Sequence, residues 1–232
     1  MTVVDATVIS GRLTALRERI LRIGGERVQI IGVTKTHDVE LVRAAMTAGI
    51  TEIGENYAQE TVAKLSGLDA RPTVHFIGQL QRNKVRKLVG LVDVWQTIDR
   101  IELGAEIAKR DPGARVMVQV DISGEDAKGG CLPADTERLV DDLRGAGLDV
   151  IGLMGVGLLA EAAEARPGFR LLRSLVDELG LAECSMGMSG DLDTAVEEGS
   201  TMVRVGTGLF GHRQHEAGQM GCRSEMTPPR TL

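Results

Sequence analysis

The chain switches repeatedly between two hydrophobic periods. Val8, Ile9, Leu13, Leu16, Ile20 and Ile23 recur at helical spacing and predict an amphipathic helix over about residues 5–23, which Gly24-Gly25 closes. The next apolar run is Val28-Gln29-Ile30-Ile31-Gly32-Val33-Thr34-Lys35-Thr36. It is short, β-branched and almost continuous, which reads as a buried parallel strand. A helix over about 38–48 follows, carrying Val39, Leu41, Val42, Ala45 and Met46, with Gly49 as its stop. The same strand-then-helix unit then recurs. Strands are expected at 52–55, 74–78, 94–98, 115–122, 150–154, 183–187 and 201–205. Helices are expected at 57–65, 82–89, 101–110, 134–146, 169–179 and 192–198.

Strand and helix in alternation predict a parallel sheet. Eight such units in about 200 residues predict a single α/β domain, a TIM-type (β/α)8 barrel with an extra N-terminal helix over residues 1–211. The alternative is an open doubly wound sheet, but its first turn lacks a G-x-G-x-x-G sequence. Residues 212–232 carry Gly218, Gly221, Pro228 and Pro229 without periodicity and are expected to form a disordered tail.

Composition narrows the class. Aromatic residues make up only 2%, so the core must be aliphatic. A net charge of −6 argues against a sequence-independent grip on nucleic acid or anionic membrane. No apolar run is long enough to span a bilayer, and the start Met-Thr-Val-Val-Asp lacks a secretory pattern. The cysteines, Cys131, Cys184 and Cys222, are odd in number, which fits a reducing cytoplasm. None has zinc-ligand spacing, so no metal site is expected.

In a barrel of this kind chemistry sits at the C-terminal strand ends. The first end carries Lys35. Strand alternation puts it on one face with Gln29, Ile31 and Val33, inside the barrel mouth if that face is the interior. A desolvated ammonium loses proton affinity and becomes a nucleophilic amine, able to form a Schiff base. Alone, Lys35 reads first as a strand-end lysine reaching for water. The last two ends carry Ser189-Gly190 and Gly206-Thr207-Gly208, hydroxyls and close-approach glycines suited to a phosphate. Singly, these read as an N-cap at Ser189, a turn, and Thr207 capping a terminal helix. Together with Lys35 they describe a phosphorylated aldehyde held at both ends.

Several stretches carry a resemblance: Thr34-Lys35-Thr36, Gly54-Glu55-Asn56-Tyr57, His75-Phe76-Ile77-Gly78-Gln79-Leu80-Gln81-Arg82-Asn83-Lys84, Ile98-Asp99-Arg100, Gly152-Leu153-Met154, Ser185-Met186-Gly187-Met188-Ser189 and Ser200-Thr201-Met202-Val203-Arg204-Val205-Gly206-Thr207. In this order, from about residue 28 to 211, the chain resembles the pyridoxal phosphate homeostasis proteins, whose fold resembles the barrel of alanine racemase. The resemblance implies that Lys35 carries pyridoxal 5′-phosphate (PLP) as an internal aldimine. It implies phosphate contacts from Ser189, Gly206 and Thr207, and Arg204 facing the pyridine nitrogen. Asn56 and His75 fall on motif positions near the cofactor, although His75 reads equally as a hydrogen-bonded core histidine. Lys128 falls on a motif position in a Gly-rich loop, and Arg82, Lys84, Arg86 and Lys87 read as a solvated face.

Arg204 bears on the chemistry. A carboxylate at the ring nitrogen keeps it protonated and makes the ring a strong electron sink. A guanidinium cannot accept that proton, so the sink is weaker. The resemblance implies that racemisation survives an arginine there but needs a second acid/base, a tyrosine, of which the chain holds one, Tyr57, so the expected function is a non-catalytic cytoplasmic PLP binder acting in cofactor homeostasis. Its expected partners are PLP and apo PLP-dependent enzymes, and its expected state is a monomer or weak homodimer. The alternative is an amino-acid racemase of narrow specificity, for which the lone tyrosine, Tyr57, or His75 would have to supply a second acid/base. A barrel that uses Lys35 on a phosphosugar is a further reading.

Overall fold

The computed structural model describes residues 5–68, 70–125, 128–157 and 162–211. Eight parallel strands close in chain order into a barrel. They are β1 (Gln29–Val33), β2 (Glu52–Glu55), β3 (Thr73–Phe76), β4 (Val94–Ile98), β5 (Arg115–Val120), β6 (Asp149–Gly155), β7 (Glu183–Ser185) and β8 (Met202–Val205). Closure is made by β1 on β8, with Ile31 opposite Arg204 and Gly32 opposite Val205. The (β/α)8 barrel with an extra N-terminal helix is therefore what forms, and the open sheet is ruled out. Among the described residues no helix is long and apolar enough to cross a membrane.

The helices are α1 (Ala6–Arg22), α2 (Val39–Thr47), α3 (Ala58–Leu65), α4 (Arg82–Leu88), α5 (Ile101–Arg110), α6 (Thr136–Gly145), α7 (Ala162–Glu178), α8 (Leu192–Glu197) and α9 (Thr207–Phe210). α1 starts where the Asp5 carboxylate accepts from the Thr7 N–H at 2.8 Å. It buries Ile9, Leu13 and Ile20, and packs against α2 and α9. Arg12 donates to the Leu209 carbonyl at 3.1 Å, and Arg19 pairs with Asp193 at 2.7 Å. α9 is only four residues long, so α1 fills the place in the helical ring that a full helix after β8 would take.

The core has two compartments. The larger lies between the sheet and its helices, where Ile53, Phe76, Trp95, Leu103, Leu172 and Val203 are buried. The smaller fills the barrel interior with Ile31, Val94, Met117, Met154 and Met202. Ile31 belongs to this inner group, so the face of the first strand shared by Gln29, Ile31 and Val33 is the interior face, as alternation requires.

Of the boundaries that differ from expectation, β3, β5 and β7 end a residue or two early, and three others carry chemistry. The first strand ends at Val33, and Lys35 lies in the turn beyond it. The ladder continues only to the Thr34 N–H, which donates to Gly54 O at 3.1 Å; Thr36 then turns left-handed at φ 66. α7 begins before Pro167-Gly168 rather than after them. Burial of Ala165 and Phe169 on one face offsets the hydrogen bond the proline cannot make. At α9 the cap is Gly206, and Thr207 is the first helical residue. Residues 212–232, with Cys222, lie outside the described residues.

Candidate functional site

The mouth of the barrel is built from the segments after β1, β2, β7 and β8. Beyond β8, Gly206 leads straight into α9. The first amides of a helix have no acceptor within it, so those of Thr207 and Gly208 face outward. Ser189, in the segment after β7, approaches the same turn, its Oγ lying 3.4 Å from the Gly208 N–H. A Cβ at position 208 would sit 2.9 Å from Val205 Cγ1 and 3.5 Å from the Ser189 hydroxyl, so glycine keeps this cradle open. Ser189 is not an N-cap: Asp191 precedes α8, and its Oδ1 accepts from the Met188 N–H at 2.6 Å. Ser189, Thr207 and Gly208 are exposed and Gly206 is half-buried.

Arg204 sits below this cradle on β8, buried inside the barrel. Its Nη1 donates to Ser185 Oγ at 2.7 Å and its Nη2 to the Gly155 carbonyl at 2.8 Å. Burial pulls its pKa down to about 10, against the opposing pull of Asp191, so the guanidinium stays cationic at neutral pH. Ser185 begins a chain across the interior. Its hydroxyl donates to Gln96 Oε1 at 2.8 Å, and Gln96 Nε2 lies 2.8 Å from His75 Nδ1. His75 Nε2 lies 3.0 Å from Glu52 Oε2. Because Gln96 donates to Nδ1, His75 carries its hydrogen on Nε2 and donates to Glu52. Every member thus donates to the next, from Arg204 down to the carboxylate at the base of β2.

The structure brings the sequence-predicted residues to one end of the barrel with one exception. Lys35, half-buried, enters from the turn after β1. Asn56, half-buried, follows β2, and its Oδ1 is buried without a partner among the described residues. Gly78 permits that loop's position: a Cβ there would lie 2.0 Å from the Asn56 carbonyl oxygen. His75 is the exception. It is buried mid-strand as a hydrogen-bonded interior histidine, and it reaches the mouth only through Gln96, Ser185 and Arg204. Tyr57 is exposed beside Asn56. Lys128 is tied down by Gly157 O at 2.7 Å and Glu125 at 3.1 Å. Arg82, Arg86 and Lys87 are exposed on α4 as a solvated face, whereas Lys84, expected on the same face, is half-buried.

Comparison with known proteins decides the family. The model of the alanine racemase N-terminal domain matches residues 10–214. The pyridoxal phosphate homeostasis protein of Aquifex aeolicus is 38% identical over 223 residues, covering 88% of this chain and 98% of its own. The chain belongs to the pyridoxal phosphate homeostasis protein family. The human member is 34% identical over 236 residues, covering 88% of this chain and 86% of its own. A solved structure of PipY from Synechococcus elongatus, with PLP bound, is 34% identical to this family member with a TM-score of 0.79, covering 88% of this chain and all of PipY. Alanine racemase of Clostridium difficile, at 16% identity and a TM-score of 0.69, covers 86% of this chain and 59% of its own; the likeness is one of fold.

The residues present suit the family's cofactor. The glycine cradle beside Ser189 suits a phosphate, and two of the five guanidinium N–H donors of Arg204 are engaged, leaving others for a ring acceptor. Sequence reading missed Ser185 as the partner of Arg204, and it missed Gln96 and Glu52. The signal was present in Val-Trp-Gln-Thr-Ile: a glutamine at an inward position of a strand buried throughout needs polar company.

Proposed function

We propose that this chain binds PLP through Lys35 in the cytoplasm and holds it for cofactor homeostasis, without robust catalysis of its own. When bound, the group supplies an aldehyde that forms a reversible C=N bond with an amine, water leaving. The chain's residues then divide the work. Lys35 offers the amine. Ser189, Gly206 and Thr207 offer hydroxyl and backbone donors to the phosphate. Asn56 offers a carbonyl oxygen to the mouth. Arg204 donates to the ring nitrogen and cannot take a proton from it.

The observation that carries this reading is the anchoring of Arg204. Its cation is pinned by Ser185 and Gly155, which fixes a donor in place of a carboxylate that would keep the ring nitrogen protonated and so makes the ring a weaker electron sink, and the chain holds a single tyrosine, Tyr57, to serve as a second acid/base. A reversible bond at Lys35 would also let this chain pass PLP on to apo-enzymes, which supports the homeostasis reading.

The test is the purified protein with PLP. A visible chromophore that borohydride fixes on Lys35, and that is lost in Lys35→Ala, supports the reading. The same chromophore persisting unchanged in Lys35→Ala sinks it. The racemase alternative predicts solvent deuterium entering the α-carbon of an L-amino acid, and the proposed function predicts none above background.

A further inference from the structure

Outside the barrel wall, behind Lys35, lies a second polar cluster. Lys64 on α3 is buried, its side chain 2% exposed. Its ammonium donates to Glu55 Oε1 at 2.6 Å, to Glu60 Oε1 at 2.8 Å and to the Thr34 backbone carbonyl at 2.7 Å. The Thr34 hydroxyl donates to the same Glu55 oxygen at 2.5 Å. The Thr36 backbone N–H donates to Glu60 Oε1, also at 2.5 Å. Both neighbours of Lys35 are therefore held from outside by one ion cluster.

The consequence is steric. Thr36 is the one residue other than glycine with positive φ among the described residues, a conformation that costs about 1 kcal/mol or more for a β-branched side chain. Such a turn persists only where its surroundings hold it. Here Glu60 holds it on the far side of Lys35 and Lys64 holds Thr34 on the near side. The Thr34 hydroxyl points outward to Glu55, and the turn that carries Lys35 is fixed at both flanks.

Resting on the reading that Lys35 takes the aldehyde, we infer that Lys64, with Glu55 and Glu60, is the positioning residue that aims the Lys35 amine at the carbonyl carbon. The cluster touches no ligand. It fixes the approach of the nitrogen, which adds to the carbonyl before water leaves. Misplacing a nucleophile by a small distance loses much of the advantage of bringing the groups together.

A comparison of two ligands separates aiming from folding. PLP forms the C=N bond. Pyridoxine 5′-phosphate, the alcohol at the same carbon, shares the ring and phosphate but forms no such bond. Lys64→Met is expected to weaken PLP by about tenfold or more and to leave pyridoxine 5′-phosphate within about twofold of wild type. Glu60→Ala, at a side chain 25% exposed, is expected to act in the same direction and keeps the test open if Lys64→Met does not fold. Glu60→Gln retains an acceptor for the Thr36 N–H and is expected to restore PLP binding to within about threefold. Unchanged PLP affinity in a folded Lys64→Met or in Glu60→Ala overturns the inference. So does equal weakening of both ligands, which would make the cluster a support of the mouth in general. If wild type itself binds the two ligands alike and borohydride fixes nothing on Lys35, the proposed function fails and this inference goes with it.

Discussion

Two buried polar clusters stand on opposite sides of the same barrel wall, and they solve different problems. The inner one runs Arg204, Ser185, Gln96, His75, Glu52 and is a directional chain in which each group donates to the next. It contains one permanent cation near the mouth and ends on a carboxylate that is partly open to solvent. The outer one packs Lys64 between Glu55 and Glu60, with Thr34 and Thr36 as backbone partners. It is compact and ionic, and it leaves Glu55 Oε2 buried without a partner among the described residues. The inner cluster orients a donor toward a ligand; the outer one fixes a turn. Dipolar groups in series transmit orientation across the barrel, whereas a concentrated charge pair holds backbone at close range, at the cost of desolvation.

The sharpest way to break this contrast is to remove the outer cation. Lys64→Met leaves two carboxylates facing each other in a buried site, one of them fully inside. Breaking a buried pair on one side costs about 3–5 kcal/mol. Chemical denaturation of the unliganded protein is expected to show a loss of that order. A loss under about 1 kcal/mol would mean that the cluster is more hydrated than its burial indicates.

The inner chain should be less costly to cut. Gln96→Leu leaves His75 Nδ1 without its donor and Ser185 without its acceptor, and unsatisfied buried groups cost about 1–3 kcal/mol. Its more telling effect is on Arg204. Ser185→Ala removes the Nη1 acceptor directly, while Gln96→Leu leaves it in place but frees Ser185 to turn. Both are expected to weaken PLP and pyridoxine 5′-phosphate together, because each ligand presents the same ring nitrogen. That pattern is the opposite of the one expected for Lys64→Met. Titrations of the two ligands against Gln96→Leu and Lys64→Met therefore test whether the two clusters have separate tasks.

Much of this architecture was legible in the residues. The alternation of strand and helix periods led to the closed barrel, because each strand buried on both faces reads as a continuous apolar run. Lys35, Ser189, Gly206 and Thr207 could be grouped at one mouth, since a barrel places its strand ends together, whereas the expectation for Arg204 came only with the family resemblance. What was not legible is instructive. Lys64 stands on an amphipathic helix, where a lysine four residues from Glu60 reads as an exposed i,i+4 pair. Its burial depends on Glu55, which comes from a different element. His75 and Gln96 are 21 positions apart and meet only because parallel pairing sets His75 opposite Val94, one inward position before Gln96. Pairing of this kind is a property of closure, which no local window of sequence contains. The end of the first strand at Val33 was missed for the same reason, as the turn at Thr36 is held by Glu60 from the next unit.

The finest distinction between the clusters is their response to pH. Burial raises the Glu55 carboxyl above its ordinary value, and Lys64, the strongest opposing influence, does not cancel the shift. A carboxyl with a raised pKa in the folded state holds its proton more tightly there than in the unfolded chain. Between the ordinary value and the raised one the native state binds more protons, so unfolding free energy from this group falls as pH rises through that window. The contribution is fully present below the ordinary carboxylate range and lost above the raised value. Glu55→Gln keeps an acceptor for the Thr34 hydroxyl and has nothing to titrate. The difference in stability between wild type and Glu55→Gln is therefore expected to move in favour of wild type as pH falls through the window, and to be level above the raised value. Denaturant midpoints for the two proteins, measured stepwise from neutral to acid, read that slope directly. A difference that is flat across the window, or that moves in favour of Glu55→Gln on acidification, would mean that Lys64 fully compensates the buried carboxylate, and that the outer cluster is balanced in charge despite its unpartnered oxygen.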